Sequence, residues 1–291
     1  WSVTVLPVSD LTYIQSVILG VVEGITEYLP ISSTAHLTIT EKLMGFRVDD
    51  AAVTAYTAVI QLGAIAATLL YFAKDFVRLF LAWVGGLRDE TKRHAHDYAL
   101  AWAVIVGSIP VALVGLALKK VIEGPLRSLW VIGFALILWS AVIYVAERRH
   151  AKLVSEGAER DEGAVTVKDG LMIGLVQCFS VIPGVSRSGA TISAGLFRGL
   201  NRVTATRLSF FLAIPALTAA GLYEGLKTDF SGMSKGPMAV GVIVAFVVAY
   251  AAIAWLLRFV ASNSLMSFVW YRIAAGVVIL GLLATSVLQA T

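Results

Sequence analysis

The sequence predicts an all-α integral membrane protein built as an inverted repeat, with six full transmembrane helices and two re-entrant helical hairpins. Three observations predict it. Of 291 residues, 58% are hydrophobic and 14% charged, with a mean hydropathy of +0.83; a soluble domain carries about 25% charged residues. Polar surface this scarce cannot wrap the apolar bulk in water. Six apolar stretches reach the roughly 20 residues that a hydrocarbon core of ~30 Å demands. Two further apolar zones are broken in the middle, and they resemble one another. The same composition excludes disorder, collagen and coiled coil.

The first broken zone, 11–29, carries Glu23 and Glu27 and is closed by Pro30 and the Ser32-Ser33-Thr34 cluster before a short apolar piece near 34–45. Neither arm is long enough to span. Lipid cannot satisfy the backbone groups freed at such a break, so the zone reads as a re-entrant hairpin (11–46) buried in protein. Full spans are predicted at about 51–72, 97–118 and 127–146. The connector 147–167 and its margin are acidic (Glu147, Glu156, Glu159, Asp161, Glu162, Asp169) and read as solvated. The second broken zone begins at 168, is interrupted by Pro183-Gly184, and resumes near 189–200, giving a hairpin over 168–202. Spans at about 203–226, 237–257 and 267–289 complete the chain.

The two hairpins share a pattern. Gly20-Val21-Val22-Glu23 lies over Gly174-Leu175-Val176-Gln177 at an offset of 154, and Pro30-Ile31-Ser32-Ser33 over Pro183-Gly184-Val185-Ser186 at 153. Leu62-Gly63-Ala64 and Pro215-Ala216-Leu217 each begin 32 residues after their respective prolines. A single transmembrane domain, 1–291, thus divides into repeat one (11–146) and repeat two (168–289). Three spans per half is an odd number, so the second hairpin enters from the opposite face and the two tips meet near the midplane.

The net charge of +4 does not point to nucleic acid, because the 23 Lys and Arg are scattered over short loops. They set orientation instead. Eleven (Lys74, Arg78, Arg88, Lys92, Arg93, Arg148, Arg149, Lys152, Arg160, Lys168, Arg258) fall on one side and seven (Lys42, Arg47, Lys119, Lys120, Arg127, Lys227, Lys235) on the other. The richer side is expected to be cytoplasmic, leaving both termini and the mouth of the first hairpin outside. The single cysteine, Cys178, excludes an internal disulfide and reads as a small hydrophobe. Residues 1–10 lack the basic start of a cleavable leader, and Trp1 leads us to expect a trimmed or replaced natural start.

Chemistry concentrates at the breaks. Glu23 and Glu27 are spaced i, i+4 and share a helix face; a charge at membrane depth costs about 2.5–3.5 kcal/mol on insertion scales. Two such acids call for a cation, a proton or a wet cavity. Beyond Pro30, Ser32 and its neighbours cap a helix whose unpaired amides favour an anion. Ser33 and His36, spaced i, i+3, are expected to place a hydroxyl beside an imidazole, as a serine nucleophile with a proton carrier requires. In the second hairpin Ser186, Ser188 and Thr191 surround Arg187, a planar cation suited to bidentate phosphate binding, with Glu23 and Glu27 as its expected counter-ions. Gly20 and Gly24 suit close helix packing. His94 and His96 read as interfacial, and Arg198, Arg202 and Arg207 as snorkelling near the start of a span.

Glu23-Gly-Ile-Thr-Glu27-Tyr-Leu-Pro-Ile-Ser-Ser-Thr-Ala-His36 and Pro183-Gly-Val-Ser-Arg-Ser-Gly-Ala-Thr191 resemble the two signatures of the bacterial undecaprenyl-diphosphate phosphatases, the bacitracin-resistance proteins. The resemblance extends over essentially the whole chain, including Ser209-Phe-Phe-Leu-Ala-Ile-Pro215. It implies that Glu23 and Glu27 form a paired-acid motif holding a divalent cation (Mg2+ or Ca2+), and that Ser33 and His36 are catalytic candidates. It further implies that Ser186, Arg187 and Thr191, with Ser188 and Ser32 beside them, bind the diphosphate of a polyprenyl lipid. The site would be reached from the outer face of the bacterial plasma membrane. Membrane lipids are the expected surroundings, and a homodimer is left open. Ala35 stands where the family usually has Gly. The other common class of membrane lipid phosphatase needs a histidine after its Ser-Arg motif; Ser188 to Ala194 contain none.

Ser33 is the favoured attacking group, with Glu27 or His36 removing its proton; His36 itself and a metal-bound water are the alternatives. A rival reading is a transporter or flippase for polyprenyl phosphate or another anion, since broken helices in inverted repeats are also transporter architecture.

Overall fold

The computed structural model describes residues 11–47, 50–118, 121–122, 125–227 and 234–290. Lys119 and Lys120, counted above for orientation, lie outside the described residues. In chain order the helices are α1 (Tyr13–Thr26), α2 (Ser33–Leu43), α3 (Ala51–Tyr71), α4 (Ala73–Arg88), α5 (His96–Ala117), α6 (Leu129–Ser155), α7 (Val167–Gln177), α8 (Arg187–Phe197), α9 (Arg202–Lys227), α10 (Lys235–Ser262) and α11 (Met266–Ala284). Both broken zones are pairs of short helices, α1/α2 and α7/α8, as the interrupted apolar runs require.

The pairs correspond cap for cap. Thr12 closes a capping box with Gln15 at the start of α1, and Thr166 closes one with Asp169 at the start of α7. Ser32 caps α2 and Ser186 caps α8, each with φ of +76°. A serine in that left-handed region is unusual, and here it turns the chain sharply enough for the second arm to run back beside the first.

Each first arm lies against a long helix along a seam of small residues. On α1, a Cβ added at Gly20 would stand 2.7 Å from the Gly241 carbonyl oxygen, and one at Gly24 2.9 Å from that of Ala245, both on α10. On α7, a Cβ added at Gly170 or Gly174 would stand still closer to the Ala103 and Gly107 carbonyl oxygens on α5. Only glycine admits such approach, and it fixes the depth at which each hairpin tip ends.

Among the described residues five helices (α3, α5, α6, α10 and α11) are long and apolar enough to cross a membrane, which makes this a multi-pass membrane protein. The sixth predicted span, 203–226, forms helix α9. Its polar residues are used inside the protein: Thr204, Thr206 and Ser209 are buried, and Arg202 and Arg207 at its start are engaged by acids. The basic segment 74–93, read as a loop, contains helix α4; at 16 residues with charges on one face it escapes a search for spans.

The acidic connector is more than a solvated link. Buried Glu147 accepts from Arg202 (2.6 Å) and from the Leu265 amide (2.9 Å). Buried Asp169 accepts from Arg160 and Arg198, each at 2.7 Å. Glu162 joins Arg78 (3.0 Å) and Arg207 (2.7 Å), and Arg207 also reaches Asp75 at 2.9 Å. Arg198, Arg202 and Arg207 therefore do not snorkel; they tie the connector to the ends of α4, α6 and α9. Burial raises the Glu162 carboxyl, but hydrogen bonds and charge from Arg207 and Arg78 outweigh it and hold its pKa below the ordinary value. A depressed folded pKa stabilises the fold above the unfolded glutamate value and is lost as pH falls through the folded one. Glu162→Gln is thus expected to lower the thermal midpoint in detergent at about pH 7, with the gap to the parent narrowing as pH falls below the ordinary glutamate pKa of ~4.3 and through the depressed folded one. A constant gap across that range would refute the ionic assignment.

Candidate active site

The two tips meet. The Gly184 amide, in the turn before α8, donates to Ser32 Oγ across the tips at 3.2 Å, and Ser188 Oγ donates back to the Leu29 carbonyl at 2.9 Å. Ser33 and Arg187 each occupy the first helical position after their caps, so the hydroxyl and the guanidinium approach the same carboxylate. Ser33 Oγ donates to Glu27 Oε2 at 2.6 Å, and Arg187 Nη2 donates to Glu27 Oε1 at 3.1 Å. Arg187 Nη1 is braced by the Ser209 carbonyl at 3.2 Å, whereas its buried Nε has no partner.

These groups open onto a cavity of about 560 Å³ whose walls include Glu27, Ser32, Ser33, Ser186, Arg187 and Gln177. The rest of the lining is largely aliphatic, with Val111 and Leu116 from α5 and Leu217 from α9. A polar end beside an apolar flank suits an amphiphile: charge at the tips, hydrocarbon along the helices.

Other expected site residues stand apart from the cavity wall. His36 is not paired with Ser33; Nδ1 contacts the Ser32 carbonyl at 2.8 Å and Nε2 the Tyr271 hydroxyl at 2.7 Å. Helical spacing allowed the Ser33–His36 contact, but the i−4 carbonyl and the stacked Tyr271 ring take the imidazole. Thr191 Oγ1 donates to Ser209 Oγ at 2.6 Å and so ties α8 to α9, while the Ser188 hydroxyl ties one hairpin to the other. Glu23 is buried behind Glu27 along α1, and neither carboxylate oxygen has a hydrogen-bond partner.

That orphaned carboxylate bears on the expected cation. Among the described residues no group of three or more His, Cys, Asp and Glu could hold a metal ion, which rules against a site made wholly of such side chains. Two neighbouring carboxylates, one of them unpaired, do fit the habit of Mg2+, which binds one or two carboxylates and completes its shell with water and substrate phosphate.

Arg272 does not stand out in the sequence, because it sits inside an otherwise apolar span. It is fully buried and donates to the Pro30 carbonyl (3.0 Å), the Gly184 carbonyl (2.8 Å) and Ser140 Oγ (3.2 Å). One guanidinium thus holds both tips by their backbones. A charged residue inside an apolar span is the signal that marks it.

The profile of the family described as Bacitracin resistance protein BacA matches residues 16–278. "Undecaprenyl-diphosphatase 1" of Streptomyces avermitilis is 54% identical over 278 residues, covering 94% of this chain and 98% of that protein. "Undecaprenyl-diphosphatase 3" of Frankia casuarinae is 53% identical over 281 residues (96% and 99%). "Undecaprenyl-diphosphatase" of Cutibacterium acnes is 48% identical over 290 residues (96% and 100%).

Proposed function

Since the chain belongs to the bacitracin resistance protein BacA family, we propose that it hydrolyses undecaprenyl diphosphate to undecaprenyl phosphate and inorganic phosphate, returning the lipid carrier to cell-wall synthesis. The observation that carries this reading is the convergence of Ser33 and Arg187 on Glu27 at the polar end of an apolar cavity. The two hairpins act as re-entrant halves of an inverted repeat, with α9 as the sixth crossing helix, and the site faces the outside of the bacterial plasma membrane.

The lipid tail lies along the aliphatic wall, and the diphosphate replaces part of the Arg187–Glu27 pairing. Ser33 Oγ attacks the terminal phosphorus while its proton passes to Glu27 Oε2, the acceptor it already contacts. The bond from that phosphorus to the bridging oxygen breaks, and undecaprenyl phosphate leaves. Water then cleaves the phosphoserine, releasing inorganic phosphate. Arg187 and the amide ends of α2 and α8 stabilise charge on the transferred group, which is where phosphoryl transfer gains most of its rate. Glu23 and Glu27 would hold a divalent cation, which supplies charge neutralisation on the phosphoryl oxygens when bound. His36, held by Ser32 and Tyr271, orients the start of α2.

Detergent-solubilised protein, where no gradient exists, is expected to release phosphate from undecaprenyl diphosphate; no release there would favour the transporter reading. Ser33→Ala is expected to abolish trapping of a phosphorylated residue, while His36→Ala retains it at reduced rate. A phosphohistidine, or trapping that survives Ser33→Ala, would overturn the nucleophile assignment.

A further inference from the structure

Gln177 is the last residue of α7 and the counterpart, in the repeat pattern, of Glu23. It is fully buried, and neither its amide oxygen nor its amide nitrogen has a hydrogen-bond partner. Yet it lines the cavity, together with Glu27, Ser33, Ser186 and Arg187. A buried amide left unpaired on both ends is costly to the fold, and almost all buried polar side chains avoid that state. Both amide ends lack partners, so the conclusion does not depend on which is drawn as oxygen.

Its surroundings select the ligand chemistry. The neighbouring wall presents the guanidinium of Arg187, whose buried Nε also lacks a partner, and the amide-rich start of α8. Together with a neutral amide donor these complement an oxyanion with several acceptor oxygens. We propose that Gln177 is a substrate-contacting residue whose amide N–H donates to a non-bridging oxygen of the diphosphate while Arg187 holds the same group. This rests on the reaction assigned above but adds a direct contact from the second repeat that neither signature motif contains.

The test uses the full-length protein in detergent as the parent, Q177M and Q177E. Methionine keeps the volume and loses both hydrogen-bonding ends; glutamate keeps the shape and brings a negative charge toward phosphate. Phosphate release is followed against farnesyl diphosphate concentration, and the thermal midpoint is measured with and without inorganic diphosphate. Q177M is expected to lose about 10–100-fold in kcat/KM, the range for a hydrogen bond to a charged group, with a ligand-free midpoint equal to or above that of the parent. Its rise in midpoint with inorganic diphosphate shrinks, and Q177E falls below Q177M on both measures.

A Q177M protein with a lowered ligand-free midpoint and the parent's kcat/KM makes Gln177 structural and overturns the proposal. Q177E outperforming Q177M overturns the donor role. If the parent itself releases no phosphate, the assigned reaction fails, but the diphosphate-dependent midpoints still decide whether Gln177 touches the anion.

Discussion

Arg187→Lys is expected to slow phosphate release by roughly 100–1,000-fold, the usual loss when one preorganised donor to a developing oxyanion is removed, and to lie within a few-fold of Arg187→Ala. The guanidinium divides its nitrogens: Nη1 to the Ser209 carbonyl and Nη2 to Glu27, leaving Nε without a protein partner. A lysine ammonium is a compact point charge and cannot hold α9, α1 and a phosphate in one plane. Steady-state rates of both variants decide the matter. A lysine variant turning over within a few-fold of the parent would mean that Arg187 supplies charge alone.

Arg272→Met is expected to act through geometry. Two carbonyls from opposite hairpins, Pro30 and Gly184, would lose their buried donor, each at a cost of ~1–3 kcal/mol. The tips would then drift apart, and a displacement of about 1 Å at a reacting centre costs on the order of 100-fold in rate. We therefore expect a lower thermal midpoint together with a kcat/KM loss of at least about 100-fold per folded molecule, with Arg272→Lys recovering only part, because one ammonium cannot span both carbonyls and Ser140. Loss of stability with undiminished kcat/KM in the folded fraction would reduce Arg272 to an ordinary brace.

Local signals in the chain announce some of this and hide the rest. Pro30 and Pro183, each beside charged and hydroxyl residues in an otherwise apolar zone, mark both tips, because proline ends a helix and the following serine caps the next. The polar character of Ser33, Glu27 and Arg187 in apolar zones also singles them out, and the structure brings the three together. Their partners are less so. Glu147 meets Arg202, and Asp169 meets Arg198, across separations that no helical period encodes. Arg272 is averaged away by the apolar residues around it. His36 shows the opposite failure: the period correctly allowed a contact with Ser33, but a carbonyl one turn back and an aromatic ring from α11 offered a better one.

The two capping serines carry a consequence for mutagenesis. At φ of +76°, Ser32 and Ser186 bear a backbone cost that glycine would relieve and alanine would keep. Glycine at either position removes the oxygen and little else, whereas alanine removes the oxygen and leaves a strained turn without its anchor. An alanine scan would score these positions as chemically indispensable when part of the loss is conformational. Glycine is the proper baseline from which to judge what either hydroxyl does.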